Sequence, residues 1–124
     1  MVLVDSSVWI RFLAGKDPYA EDLDKLLSFD EVAAHDLVAG ELLVGDRGGR
    51  ADLLAAYDRI YRVGTVPHLE AIEFVRHRKL NGRGIGWVDV HLLASALVSR
   101  MPLWTADSRL EAVASELGVA YRSR

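Results

Sequence analysis

Residues 87–107 read WVDVHLLASALVSRMPLWTAD, and this stretch decides the fold. Its first part has the apolar spacing of a helix, a proline then breaks the helix, and a short apolar run predicts a buried strand that leads to Asp107. Helical spacing places Asp89 on the same stripe as Leu92 and Ala96, which is expected to face the core. Burying an unpaired carboxylate is costly, so Asp89 requires a partner. Because ligands bind at the carboxyl ends of parallel strands, Asp89 and Asp107 together predict a metal site.

Two further carboxylates follow the same pattern earlier in the chain. Residues 2–4 (VLV) are typical of a strand covered on both faces, and Asp5 ends that strand. The alternative role for Asp5 is a helix N-cap, although Ser6 and Ser7 are equally able to cap. Glu41 lies in a helix that begins near residue 36, at the spacing of the apolar stripe. Its alternative is a glutamate at the edge of the stripe, whose stem packs while its carboxylate reaches water.

Strands alternate with helices along the whole chain. The predicted class is therefore α/β, a three-layer α/β/α arrangement with a mainly parallel sheet and helices on both faces. The predicted strands are residues 2–4, 31–35, 63–66, 102–105 and 119–121. Neither a linker nor an internal repeat interrupts the pattern, so residues 1–124 are expected to form one domain.

Composition excludes several classes of protein. The chain has no cysteine, which rules out disulfides, thiolate-bound zinc and a cysteine nucleophile. No signal peptide and no long apolar segment is visible, so a cytoplasmic protein without membrane contact is expected. The formal net charge is -3, which argues weakly against nucleic-acid binding by bulk positive charge. Bound divalent cations would offset that charge, so the net charge neither supports nor excludes nucleic-acid binding.

Four acids at one edge repel one another unless a cation lies between them. All-oxygen ligands suit Mg²⁺ or Mn²⁺. The four histidines lack the spacing of a zinc site, and no nucleophile elbow accompanies a Ser-His-Asp set. A divalent-metal site is therefore the predicted chemistry.

A basic cluster lies at the end of the helix that follows Pro67. Arg76, Arg78, Lys79 and Arg83 form it, and they are the predicted contacts to substrate phosphates. Such a run is also typical of a solvated helix end. The glycine-rich residues 81–86 match no nucleotide-binding motif and predict a mobile loop beside the site. Residues 108–111 (SRLE) predict a capping box that leaves Asp107 free of a capping role.

The chain resembles the PIN domain ribonucleases, and most closely the VapC toxins of bacterial toxin–antitoxin pairs. The matching segments are 4–7 (VDSS), 41–45 (ELLVG), 89–96 (DVHLLASA) and 103–107 (LWTAD). The resemblance implies an acidic quartet of Asp5, Glu41, Asp89 and Asp107, with Ser7 and Thr105 in supporting positions. It also implies a sheet of about five parallel strands, a homodimer, and inhibition by a small antitoxin.

The expected function is that of a metal-dependent endoribonuclease toxin. Water activated by Mg²⁺ or Mn²⁺ in the acidic quartet would attack an RNA phosphodiester. The cognate antitoxin is expected to insert an arginine into the acidic cleft, because a guanidinium pairs with carboxylates in bidentate fashion. Two alternatives remain open: a PIN-like module that binds RNA or protein without cutting, and a receiver-type phospho-acceptor domain. The second lacks an acidic pair after the first strand and a lysine after the last.

Overall fold

The computed structural model describes residues 1–122. Apolar runs form short strands and amphipathic segments form helices, in the order expected for an α/β chain. The elements are β1 (Val2–Val4), α1 (Ser6–Leu13), α2 (Tyr19–Ser28), β2 (Val32–Ala33), α3 (Asp36–Val44), α4 (Ala51–Tyr57), α5 (His68–Arg78), α6 (Trp87–Ser99), β3 (Leu103–Trp104) and α7 (Ser108–Glu116). None of the helices within residues 1–122 is both long and apolar enough to cross a membrane.

The sheet has β1 at its centre, with β2 on one side and β3 on the other. Both pairings are parallel, as predicted. The two remaining predicted strands do not form as strands in residues 1–122. Ala120, within the predicted strand 119–121, makes an isolated parallel bridge to Leu103, and Arg62, the residue before the predicted strand 63–66, makes one to Ala34. The sheet therefore has three strands, with a single bridge beside each of its two outer strands.

Burial of β1 shows that both faces of the sheet are covered. Side chains alternate between the two faces of a strand, yet Val2, Leu3 and Val4 are all buried. The core continues through Val8 and Trp9 of α1 and through α6. Helices therefore pack on both sides of the sheet, as the three-layer prediction requires.

The interior of α6 is buried around its whole circumference. Every residue from 90 to 96 is buried, including His91 and Ser95. An apolar stripe consequently does not distinguish one side of this helix from another. Leu92 and Ala96, which share the predicted stripe with Asp89, are fully buried, and Asp89 itself is half-buried in the first turn.

The predicted apolar stripe of α3 is wrong at Glu41 and Val44. Its buried residues are Val38 and Leu42, whereas Leu43 and Val44 are exposed. Glu41 and Val44 are both exposed, so the predicted stripe through these two residues does not face the core. Because the exposed side of α3 also carries apolar residues, the spacing of apolar residues in its sequence does not identify the buried side.

The carboxyl end of each strand leads into a helix N-terminus. Asp5, His35 and Asp107 are the N-cap residues of α1, α3 and α7, and each has extended backbone. Because all three strands are parallel, these N-caps lie at one edge of the sheet. Two of the predicted site acids are among them.

His35 is a buried N-cap whose protonation state follows from its hydrogen bonds. Its Nδ1 accepts from the Leu37 N–H at 3.0 Å. The Ser95 hydroxyl donates to the Gly64 carbonyl, so it can only accept from His35 Nε2, 3.1 Å away. His35 is therefore neutral with its proton on Nε2. Desolvation by burial, the largest influence, lowers the pKa of His35.

Candidate acidic site at the carboxyl edge of the sheet

Asp5 is the most deeply buried of the four predicted acids. Its Oδ2 accepts from Ser7 Oγ at 2.7 Å and from Thr105 Oγ1 at 2.8 Å. Although Asp5 occupies the N-cap position of α1, its side chain makes no capping hydrogen bond. The alternative role of Asp5 as an N-cap is therefore met by its backbone position but not by its side chain.

The two hydroxyls join β1 to the loop after β3. Each hydroxyl has one proton, which it donates to Asp5, so the 3.2 Å approach of Ser7 Oγ to Thr105 Oγ1 is not itself a hydrogen bond. Ser7 Oγ accepts from the Ala106 N–H and Thr105 Oγ1 accepts from the Asp107 N–H, both at 3.0 Å. Ser7 and Thr105 therefore fix Asp5 and the backbone of Asp107 relative to each other.

Asp107 caps α7, which overturns the predicted capping box. Its Oδ1 accepts from the backbone N–H of Arg109 at 2.9 Å and of Leu110 at 3.1 Å. The cap lies one residue earlier than Ser108, the residue that the SRLE motif suggested. Asp107 thus has a structural role in addition to its place at the sheet edge.

Asp89 lies in the first turn of α6 with its carboxylate directed back to the helix start. Its Oδ2 accepts from the Gly86 N–H at 2.8 Å. Desolvation, the largest influence, raises the pKa of Asp89, and the negative charges of Asp5 and Asp107 raise it further. Asp89 is therefore electrostatically coupled to both strand-end acids.

Glu41 reaches the same group of charges from α3. Its Oε1 accepts from Ser6 Oγ at 3.1 Å. Desolvation raises the pKa of Glu41 most, the Ser6 hydrogen bond opposes this, and the charges of Asp5 and Asp89 raise it. Glu41 is thus within electrostatic range of Asp5 and Asp89, and Asp89 is within range of Asp5 and Asp107.

Each acid is anchored by one carboxylate oxygen only. Within residues 1–122, no hydrogen-bond donor reaches the second oxygen of any of them, and none has a cationic side chain as a partner. In the same residues, no three His, Asp or Glu side chains are arranged to hold a metal ion among themselves. The site is an open set of oriented carboxylates and not a closed cage.

The predicted basic cluster is partly paired. Arg83 makes a bidentate ion pair with Glu116 of α7, both contacts at 2.9 Å. Arg76 lies 3.7 Å from Glu73 on its own helix. Arg78 and Lys79 are exposed at the end of α5, and no ion pair to them is found in the described part of the chain.

The glycine-rich loop, which was predicted to be a mobile loop beside the site, packs against α7. Gly84 has a φ of +78°, and a Cβ there would lie 2.8 Å from Arg109 Cδ and 2.9 Å from Arg109 Nη1. Arg83 in the same loop binds Glu116. The loop ends at Gly86, which binds Asp89, so α7 supports the position of Asp89. The contact of Gly84 with Arg109 joins residues distant in sequence, and no local signal indicates it.

The fold and the site define a class of protein: an α/β domain with acids from several elements at the carboxyl edge of a parallel sheet. The PIN domain family description matches residues 2–116, and the chain belongs to this family. Ribonuclease VapC32 of Mycobacterium tuberculosis, from strains CDC 1551/Oshkosh and H37Rv, is 44% identical over 121 residues, 97% of this chain and 95% of that protein. The VapC-type resemblance drawn from the sequence is thereby confirmed.

A solved structure has the same fold at lower identity. The crystal structure of PAE2754 from Pyrobaculum aerophilum matches with a TM-score of 0.58 and 21% identity. The match covers 90% of this chain and 82% of that one. It supports the fold assignment and carries no argument about activity.

Proposed function

We propose that the protein is a ribonuclease toxin that cleaves RNA endonucleolytically at the acidic quartet with a divalent cation. The observation that carries the proposal is the open set of four carboxylates, each with one oxygen unused and none with a cationic partner in residues 1–122. The charges of Asp5 and Asp89 act on Glu41, and those of Asp5 and Asp107 act on Asp89. The name of the M. tuberculosis relatives, ribonuclease, supports the choice of reaction.

The donor chemistry of the quartet fits Mg²⁺ or Mn²⁺. These ions prefer oxygen ligands, and Mg²⁺ commonly binds through one or two carboxylates while it retains several waters. An open set of carboxylates, each with one oxygen unused, agrees with that mode better than with a dedicated cage. Asp5 and Asp89 would hold the ion, and Glu41 and Asp107 would complete the site directly or through water.

A bound divalent cation would acidify a water molecule and offset the negative charge of the phosphate. The residues of the chain supply orientation. Ser7 and Thr105 hold Asp5, the α7 cap holds Asp107, and the Gly86 N–H holds Asp89. Those carboxylate oxygens that do not hold the ion would accept hydrogen bonds from the attacking water and align it with the phosphorus–oxygen bond that breaks. The water oxygen would form the new bond to phosphorus as the bond to the leaving ribose oxygen breaks. The proton of the water would pass to solvent, and the leaving oxygen would take a proton from solvent.

The test is cleavage of total RNA in Mg²⁺, in Mn²⁺ and in chelator, with the new ends mapped. Cleavage that requires a divalent ion, and that is lost in Asp5→Asn, supports the proposal. Asp24→Asn is a matched control, since Asp24 is an exposed aspartate of α2. A wild-type protein that binds RNA but never cuts it would instead favour a non-catalytic PIN-like module.

We also propose that the basic end of α5 contacts substrate phosphates. Because Arg76 and Arg83 already face glutamates, Arg78 and Lys79 are expected to contribute most among Arg76, Arg78, Lys79 and Arg83. Neutralising both residues should reduce the slope of log affinity against log salt for single-stranded RNA by about 1.4. An unchanged slope would leave this cluster as a solvated helix end.

The partners proposed for the protein are a second copy of itself and a small antitoxin. Four carboxylates with unused oxygens form a negative site that an arginine of the antitoxin can enter in place of a metal ion. Inhibition by the antitoxin should then weaken as Mg²⁺ rises. Inhibition that survives replacement of that arginine would contradict this mode of binding, and a monomer in sedimentation analysis would contradict the homodimer.

A further inference from the structure

Trp87 is the exposed tryptophan of this protein. The chain has three tryptophans, and Trp9 and Trp104 are only 1% and 6% exposed, whereas Trp87 is 42% exposed. Removing apolar surface from water is favourable, so a large ring that stays exposed has surface available for a ligand.

Two imidazoles hold the Trp87 ring in place. The His91 ring lies 4.9 Å from it, nearly perpendicular at 87°. The His68 ring, from the first residue of α5, lies 5.4 Å away at 59°. His91 itself is buried within α6. The indole is therefore supported at the side of the protein while much of its surface remains open to solvent.

The exposed ring lies at the same end of α6 as the acidic site. Trp87 is the first residue of α6, and helical side chains are tilted toward the N-terminus. Asp89 turns its carboxylate back to the Gly86 N–H at that same end. Residues two apart in a helix point to different sides, so the ring flanks the acids and does not cover them.

We propose that Trp87, supported by His68 and His91, stacks an unpaired base of the RNA that flanks the scissile phosphate. The inference rests on the proposed ribonuclease function and adds a binding subsite to it. Single-stranded RNA is recognised by aromatic side chains on which splayed bases stack. Such stacking tolerates any base, and a ring already held by its neighbours loses little conformational freedom when a base binds.

The first experiment measures tryptophan fluorescence while a single-stranded RNA 10-mer is added to the Asp5→Asn protein in Mg²⁺. Because Trp87 is the accessible indole, the RNA should quench emission, and the additional change Trp87→Phe should remove that quenching. Quenching that persists in the Trp87→Phe protein would overturn the proposal, as would binding of the RNA without quenching.

The second experiment measures the affinity of a labelled RNA by fluorescence polarisation in the same background. Trp87→Ala should weaken binding about 5- to 150-fold, the range expected for one stacked base, while Trp87→Phe should retain most of the affinity. Phe29→Ala is the matched control: Phe29 is 70% exposed, but it precedes β2 and so lies toward the opposite edge of the sheet.

Oligonucleotides with one abasic position complete the test. At one position of the RNA, the missing base should weaken binding to the parent protein but have no effect on binding to the Trp87→Ala protein. The abasic position and the Trp87→Ala substitution would then remove the same stacking contact. If every abasic position acts equally on both proteins, Trp87 does not stack a base. A Trp87→Ala protein with unchanged affinity but altered oligomeric mass would make this ring an interface between copies instead. If the parent protein neither binds nor cuts RNA, the proposed function fails together with this subsite.

Discussion

Single residues in this protein serve both the site and the fold, and Asp107 shows this most clearly. The sequence placed Asp107 at a strand end correctly, because an apolar run followed by a carboxylate is a local pattern. It did not indicate that Asp107 caps α7, because the neighbouring SRLE motif offers an equally good cap one residue later. Whether Asp107 or Ser108 caps α7 depends on the path of the backbone between β3 and the helix.

Substitutions of Asp107 should separate the two roles. Asp107→Asn keeps an oxygen that can accept from the Arg109 and Leu110 N–H groups, so its unfolding free energy should stay near the wild-type value. Asp107→Ala loses the cap and should be less stable by about 1 kcal/mol. RNA cleavage should fall in both. Chemical denaturation and cleavage assays check this, and equal stabilities of the two variants would show that the cap contributes nothing.

His35 predicts a pH dependence of stability. The neutral ring caps α3, and burial lowers the pKa of His35 below its ordinary value of 6.5. A lowered folded-state pKa stabilises the fold fully above pH 6.5 and loses that contribution as the pH falls through the folded pKa. The unfolding free energy of the wild type should therefore decline as the pH falls below 6.5.

The measurement is chemical denaturation of wild type and His35→Asn at a series of pH values that begins above 6.5 and falls below it. Asparagine can cap a helix without titrating, so the variant, although less stable overall, should show a smaller decline. His77→Gln, at an exposed histidine of α5, should behave like the wild type. A decline of the same size in His35→Asn would mean that another group causes it.

At the scale of elements, helix positions could be predicted well and edge strands could not. Helices α1, α3 and α6 begin where the sequence indicated, because caps and apolar spacing are local signals. The segments after α4 and α7 form single bridges within residues 1–122, since pairing at a sheet edge depends on distant neighbours. The stripe that pointed Glu41 and Val44 inward failed because α3 carries apolar residues on its exposed side as well as on its buried side.

The loop that α7 supports offers a matched pair of substitutions. Gly82 and Gly84 have similar φ angles, +72° and +78°, so alanine at either should cost about 1 kcal/mol of backbone strain. Open space surrounds Gly82, whereas a Cβ at Gly84 meets Arg109. Gly84→Ala should therefore displace Arg109, loosen the loop that ends at Asp89, and lower kcat several-fold more than Gly82→Ala. Equal kcat values for the two variants would show that the Arg109 contact does not support the site.

At the scale of the whole molecule, the net charge of -3 conceals its most important feature. Four of the negative charges lie at one edge of the sheet, brought together by β1, α3, α6 and the loop after β3. The acids were predictable because each follows or joins a recognisable local element. Their hydrogen-bond anchors, apart from Ser7 and Thr105, were not, because Ser6–Glu41 and Gly86–Asp89 depend on how helices pack.

Thermal unfolding of wild type and Asp89→Asn, with and without Mg²⁺, tests whether these acids form a divalent-cation site. The asparagine side chain of the variant can still accept from the Gly86 N–H but no longer repels Asp5 and Asp107. Metal-free Asp89→Asn should therefore melt at or above the wild-type temperature. The advantage of the variant should shrink as the pH falls through the raised pKa of Asp89, because the wild-type carboxyl then becomes neutral.

Mg²⁺ at about 100 times its Kd should stabilise the wild type by about 2.7 kcal/mol, and Asp89→Asn much less. The wild-type Tm should therefore rise with Mg²⁺ while the Tm of the variant hardly moves. A metal-free Asp89→Asn protein that melts well below the wild type, together with a wild-type Tm indifferent to Mg²⁺ and Mn²⁺, would show that these acids do not form a divalent-cation site.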